Sequence, residues 1–336
     1  MHDFLTNIAA AVDLPINVVK AGMGVAALLA LGSVIRWIKL RSAPIDERKN
    51  RLGSLLVWWG MLVIVVFTVC AGKIGGVITF GTLSLIALYE YFRMLDKKQS
   101  DPRGRGVLWM SVPAMYASIL FTEGIFAQTF VLVATTMGVS IRLLLAGKTN
   151  GYLETASALT WGSIVFVFFL CHAALLLALP SVTNPVAGSA GWFIFLIVFT
   201  ECDDIFQAIF GRRFGRHKIT PDVSPNKTWE GFIFGGLAAI AIGFALAPLL
   251  TPLAQPWPLR VGEWSMQVPY LGALLAGIIL CVAGFFGDLN ESALKRDAGV
   301  KDSGNWLPSQ GGILDRIDSL TFTAPAFYYF VVISYG

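Results

Sequence analysis

Apolar residues in this chain come in long runs separated by short polar stretches, and the runs recur along the whole length rather than in one core segment. A helix that crosses a hydrocarbon layer needs roughly 17 to 25 such residues at about 1.5 Å rise each. Ten runs fit, over approximately 19–39, 54–71, 74–95, 107–122, 124–146, 154–180, 190–211, 231–250, 268–287 and 317–334. The fold class they predict is all-α, a polytopic integral membrane protein with about ten transmembrane helices. The fourth and fifth runs are parted only by the turn Thr122-Glu123-Gly124, and a re-entrant hairpin would give the same pattern.

The placement of positive charge supports that count. With the N-terminus outside, the inward connections are those running from Arg36 to Arg51, Arg93 to Arg105, Arg142 to Lys148, Arg212 to Lys227 and Lys295 to Arg316. They hold 22 of the 25 lysines and arginines, and only Lys20, Lys73 and Arg260 fall elsewhere. Such a bias is the positive-inside pattern, and an error of one span would scramble it. Both termini are therefore expected outside, with the polar loops on the cytoplasmic face of a bacterial inner membrane. The first twenty residues include Asp3, Asn7, Asp13 and Pro15, so the first run reads as a retained span and not as a cleaved leader.

Composition changes the picture in one respect. A chain of 336 residues would ordinarily suggest two soluble domains, but 56% hydrophobic and 14% charged residues, with a mean hydropathy of +0.69, exclude that. Residues 1–189 form a weakly patterned N-terminal part of about six spans, and 190–336 a chemically rich part of about four. The net charge of +4 follows from topology and lipid-surface electrostatics, so no nucleic-acid partner is expected. Cys70, Cys171, Cys202 and Cys281 lie in or at the ends of spans without CxxC spacing and read as packing residues.

Two inward loops carry the unusual chemistry. The first begins at Glu201, Asp203 and Asp204, read as the inner end of the seventh span, and runs through a basic cluster to Ser224-Pro225-Asn226-Lys227-Thr228. Acids near a span end need partners, and an interface position beside the basic cluster is the plainer account. Ser224 before Pro225 reads equally as a helix cap or as part of a phosphate seat at a helix N-terminus. The second loop starts at Gly287-Asp288. If the ninth span continues inward, Asp288, Ser292, Lys295 and Gly299 share one face, although Glu291 and Lys295 also make an ordinary i,i+4 ion pair. Asp315 and Asp318 have i,i+3 spacing and can face one site. No Walker A pattern occurs, and Gly311-Gly312 reads at least as a tight turn. Hard oxygen ligands suit Mg²⁺, so Asp288 with Asp315, helped by Asp318, would suffice for a metal that shares its shell with substrate phosphates.

These residues resemble a known family. The phosphatidate cytidylyltransferases carry Ser-x-apolar-Lys-Arg-x4-Lys-Asp-x-small-x2-apolar-Pro-x-His-Gly-Gly-apolar-x-Asp-Arg-apolar-Asp. Here Ser292, Leu294, Lys295, Arg296, Lys301, Asp302, Gly304, Leu307, Pro308, Gly311, Gly312, Ile313, Asp315, Arg316, Ile317 and Asp318 fit, and Gln310 stands at the histidine. Ser224-Pro225-Asn226-Lys227-Thr228-Trp229-Glu230-Gly231 is similar to the family's Ser-Pro-x-Lys-Thr-Trp-Glu-Gly, and the likeness is specific over about 190–330.

The resemblance implies transfer of CMP from CTP to phosphatidate or a related lipid phosphate, with Mg²⁺ as cofactor, membrane lipid around the chain and a homodimer as the expected assembly. It implies that Ser224 and Lys227 hold substrate phosphate, that Ser292, Lys295 and Arg296 face the triphosphate or lipid phosphate, and that Asp204 supports the site. Lys301, Asp302 and Arg316 are either site residues or a clasp that orders the loop. Two departures stand out: Gln207-Ala208 where many members have Ala-Tyr, and Gln310, which hydrogen-bonds but neither titrates nor carries charge. They leave open a non-catalytic or retuned homologue that binds anionic lipid or nucleotide. Transport is disfavoured, because the polar residues sit at span ends and in inner loops.

Overall fold

A computed structural model of the chain describes residues 2–41, 45–95, 101–122, 125–147, 149–261, 264–307 and 310–336. After a short helix α1 (His2–Ala11) come α2 (Ile16–Leu40), α3 (Ile45–Cys70), α4 (Gly72–Met94), α5 (Pro102–Phe121) and α6 (Phe126–Leu145). A single rod follows, made of α7 (Tyr152–Ser163), the π-helical stretch Ile164–Phe169 and α8 (Leu170–Ala178). Helices α9 (Gly188–Phe214), α10 (Trp229–Leu250), α11 (Leu271–Asp297) and α12 (Leu314–Tyr335) complete the set.

Each apolar run thus has a helix over it, and the protein is an all-α polytopic membrane protein. Among the described residues eight of the helical segments, with α7 and α8 as one, are long and apolar enough to cross a membrane. The two expected spans that fall short are α5, diluted by Gly104, Gly106, Ser111, Pro113 and Ser118, and α9, which carries Glu201, Asp203 and Asp204. Those acids do not lie at the end of α9: the helix continues to Phe214, because Arg212 and Arg213 in its last turn suit a helix C-terminus. Glu123 and Gly124 of the expected turn lie outside the described residues, as do Lys97, Lys98 and Lys148 of the basic connections.

Two small antiparallel hairpins were not legible as strands. One pairs β1 (Lys218–Thr220) with β2 (Ser224–Thr228), and the other pairs β3 (Trp257–Val261) with β4 (Trp264–Val268). The core lies where α4, α8, α9 and α12 meet, filled by Tyr91, Phe166, Trp192, Phe195, Phe199 and Phe327. Exposed Leu28, Leu56, Val63, Phe130 and Leu144 give the outside the apolar coat a bilayer requires. Cys171 and Cys281 are buried free thiols, in keeping with a packing role.

Candidate active site

Close helix crossings gather the site. A Cβ at Gly287 of α11 would lie 2.7 Å from the carbonyl oxygen of Asp318 in α12, so the missing side chain lets the two backbones touch. That contact sets Asp288, the next residue, beside Asp318. Across the cleft, a Cβ at Gly235 of α10 would lie 2.6 Å from Cα of Gln207 in α9. Thr228 caps α10, its hydroxyl accepting the Gly231 N–H at 3.1 Å. Glu230 reaches back to accept the N–H groups of Arg216 at 3.0 Å and His217 at 3.2 Å, and meets His217 Nδ1 at 2.6 Å. The β1–β2 hairpin is thereby fixed at both ends.

The hairpin delivers Lys227 into a cleft of about 340 Å³ lined by Asp204, Gln207, Arg212, Ser224 and Asp288 among others. Lys227 Nζ lies 2.6 Å from Asp288 Oδ2 and donates to Gln207 Oε1 at 3.5 Å. Burial works against its ammonium, yet the carboxylates of Asp288 and Asp204 outweigh that and hold its pKa above the ordinary lysine value. Gln207, one of the two departures from the family pattern, is held by its own donation to Asp203 Oδ2 at 2.8 Å. Ser319 ties the acids together: its hydroxyl donates to Asp204 Oδ1 at 2.9 Å and its N–H to Asp318 Oδ1 at 2.8 Å. Ser292 donates to Asp288 Oδ1 at 3.3 Å.

A second cluster adjoins the first along α11, which runs unbroken to Asp297, so the shared face of Asp288, Ser292 and Lys295 is real. Gly299 lies past the helix end with φ +68°. Lys295 Nζ is 2.5 Å from Glu291 Oε2 and 2.7 Å from Asp315 Oδ1, so the i,i+4 pair exists, but buried and shared with a third group. Asp315 Oδ2 accepts from Gly312 N at 2.7 Å and from both N and Oγ of Ser303 at 3.0 Å. The loop turns at Gly311, whose φ of +80° favours glycine, and Leu307 N–H donates to the Gly311 carbonyl at 3.0 Å. The glycine pair is therefore the turn its sequence promised.

Other expected residues occupy different places. Ser224 caps no helix: paired with Thr220 in the hairpin, residues 224–228 are extended, Pro225 included, and Thr228 takes the cap. Ser224 is half-buried in the cleft wall. Arg296 donates from Nε to the Val223 carbonyl at 3.3 Å and so ties the hairpin to α11. Lys301 and Asp302 are exposed on the loop after α11, and Pro308 and Ser309 lie outside the described residues. Arg316 is half-buried in the first turn of α12 within electrostatic reach of Glu201, and its buried Nε has no hydrogen-bond partner among the described residues. Gln310 leaves the cleft altogether, its Nε2 donating to Ser54 Oγ of α3 at 2.7 Å.

One residue escaped the sequence reading. Glu90 of α4, 1% exposed, accepts from Ile313 N at 3.0 Å, Leu314 N at 2.9 Å and Ser303 Oγ at 2.9 Å. The signal that marks it is a lone carboxylate inside the apolar run 74–95.

The model of the cytidylyltransferase family matches residues 53–334, nearly the whole chain. The chain belongs to the cytidylyltransferase family. It is thus an enzyme of the CTP-dependent nucleotidyltransferase class. Among its relatives, an Escherichia coli (strain K12) protein named uncharacterized protein YnbB is 38% identical over 91% of this chain and 95% of its own length. A phosphatidate cytidylyltransferase of Bacillus subtilis is 31% identical over 86% of this cytidylyltransferase and 99% of its own length. One from Synechocystis is 32% identical over 74% and 85% respectively.

Proposed function

We propose that this cytidylyltransferase transfers CMP from CTP to phosphatidate or a related lipid phosphate, giving CDP-diacylglycerol and pyrophosphate. The observation that carries the reading is Lys227 set among Asp204, Asp288 and Asp318 at one cleft of a polytopic membrane protein. A cation beside hard oxygen ligands in a membrane protein supports a site for nucleotide and lipid phosphates. The relatives named phosphatidate cytidylyltransferase support the substrate pair. The inward bias of basic loops supports an opening on the cytoplasmic face, where CTP is available.

Three carboxyl groups around one lysine offer hard oxygen ligands, which suit a divalent cation. Among the described residues no three His, Cys, Asp or Glu side chains form a ready-made metal cage. Mg²⁺ tolerates that, since it usually takes one or two carboxylates and fills its shell with water and substrate phosphate. Asp204, Asp288 and Asp318 are the acids that would hold it. Asp315, which the sequence reading paired with Asp288 for this role, already accepts from Lys295, Ser303 and Gly312 and would act by fixing Lys295. When bound, the ion would neutralise charge building on the phosphoryl oxygens.

In the reaction, an oxygen of the lipid phosphate attacks the α-phosphorus of CTP. The bond from that phosphorus to the bridging oxygen breaks, and pyrophosphate leaves with the electron pair. The nucleophile is anionic near neutral pH, so no strong protein base is needed, and the chain's task is positioning and charge neutralisation. Lys227 would hold a phosphate against repulsion from the acids beside it, and Lys295 would do the same one cluster away. The Ser224 and Ser292 hydroxyls would supply neutral donors.

The test is detergent-purified protein with CTP, Mg²⁺ and phosphatidate, followed by chromatography of the lipid product. CDP-diacylglycerol formation that depends on Mg²⁺ is expected. No product from any lipid phosphate, alongside activity in a Gln310→His variant, would sink the enzymatic reading for the natural chain. Product from another lipid phosphate alone would identify a retuned homologue.

A further inference from the structure

Glu90 belongs to α4, far in sequence from every residue assigned to the cleft, yet its carboxylate sits inside the signature loop. Its partners lie up to 224 positions away: Oε1 accepts from Ile313 N, and Oε2 accepts from Leu314 N and Ser303 Oγ. Ile313 is the cap residue of α12 and makes no side-chain cap bond. Glu90 therefore supplies from another helix the acceptor that the free amides of α12 require, with the sign of charge a helix N-terminus favours.

The loop is shaped around this carboxylate. A Cβ at Gly304 would lie 2.6 Å from Glu90 Oε1, and one at Gly312 would lie 2.5 Å from Oε2. Both are signature positions, the small residue and the second of the paired glycines, and their lack of a side chain makes the space that Glu90 and, at Gly312, the Ser303 hydroxyl fill. Ser303 then relays the hold. Its N–H donates to Asp315 Oδ2, and its single hydroxyl proton lies between Glu90 Oε2 at 2.9 Å and Asp315 Oδ2 at 3.0 Å. Asp315 in turn positions Lys295 through Oδ1. On the other side, Tyr91 anchors α4 by donating to the Ala158 carbonyl at 2.7 Å while its ring packs on Trp161 and Phe166.

We propose that Glu90 is a positioning residue for the nucleotidyl transfer, acting through Ser303 and Asp315 to hold Lys295 in place. This rests on the functional reading above. A carboxylate buried in a membrane span is retained only where it has work and partners, and here both lie in the loop. Misplacement of a phosphate-holding group by about 1 Å lowers turnover by about 10²-fold.

The experiment compares Glu90→Gln with the parent in detergent, after monodispersity and melting temperature show that the variant is folded. Expected is a kcat about 10- to 100-fold lower with KM for CTP within about threefold, since the contact fixes the reacting geometry and touches no nucleotide. In an Asp315→Asn background, Glu90→Gln should lower kcat no further, because both act through one chain of contacts. Parent kcat in Glu90→Gln, a raised KM with kcat intact, or additive losses in the double variant would each overturn the proposal. Hydrogen exchange of peptides covering 303–316 reads the clamp without turnover: faster exchange in Glu90→Gln is expected, and unchanged exchange overturns it. A parent that uses no lipid phosphate defeats the functional reading by itself, and positioning for that reaction with it, whereas the exchange result still decides the clamp.

Discussion

Lys227 Nζ stands 2.6 Å from Asp288 Oδ2, joining the hairpin that precedes α10 to the helix that leads into the signature loop. Both side chains are largely buried; removing Lys227 leaves Asp288 without its ion-pair partner, whereas removing Asp288 still leaves Lys227 facing Asp204 and Asp318. Lys227→Met and Asp288→Asn are each expected to lower CDP-lipid formation by at least about 10²-fold. The double variant should fall little further, since groups acting as a unit are not additive. Turnover assays on folded, detergent-purified variants check this, and full activity in Asp288→Asn refutes its place in the site.

The Lys227 ammonium has a pKa raised above its ordinary value, burial opposing and Asp288 and Asp204 prevailing. A raised lysine pKa gives stability that is fully present below the unfolded value of about 10.4 and is lost as pH rises through the folded value. The ammonium faces Asp288 and Asp204, so the melting-temperature gap between parent and Lys227→Met should persist through about pH 9 and be lost only as pH rises past about 10.4. A gap that vanishes below about pH 9 would show that the lysine is not held in its charged form.

Gly287 lies where α11 and α12 touch at Asp318. A methyl group there has no room, and overpacking of this kind typically costs about 1–3 kcal/mol. Gly287→Ala should lower the melting temperature and, by parting Asp288 from Asp318, reduce turnover more than stability alone accounts for. Parent-like behaviour in both measurements would argue against the crossing as the device that brings these acids together.

Gln310 donates to Ser54 Oγ at 2.7 Å. Histidine offers a ring N–H for the same task, so Gln310→His should melt within a few degrees of the parent and keep its turnover. Gln310→Leu should lose one net hydrogen bond, about 0.5–1.5 kcal/mol, seen as a lower melting temperature, with Ser54→Ala in the same background adding almost nothing. A full additive loss would place Gln310's contribution elsewhere.

A helix over each apolar run was legible because run length is a strong signal at bilayer scale, although only eight of the ten expected spans are apolar enough to cross a membrane among the described residues. The face shared by Asp288, Ser292 and Lys295 was legible because a helix fixes its own spacing. What sequence could not give is where separate elements touch. Ser224-Pro225 suits both a helix start and an extended strand, and only the pairing with Thr220 decides. The acids of α9 looked terminal because the polar residues after them break the hydropathy signal, while the helix itself runs on to Phe214. Nothing local in the sequence reveals that Asp315 accepts from Ser303, Gly312 and Lys295. Glu90 is marked in sequence only as a lone carboxylate in an apolar run, and its role was not legible because its partners are more than two hundred residues away.

That distance bears on how the protein is made. Helix α4 enters the membrane long before residues 303 to 314 exist, so during synthesis the Glu90 carboxylate waits without the amides that satisfy it in the finished fold. The signature-loop contacts of α4 are left unmade until α12 arrives. Nascent chains halted before α12 are expected to be unstable and exposed to membrane proteolysis, and the closing of α12 onto Glu90 is the step that satisfies that buried carboxylate.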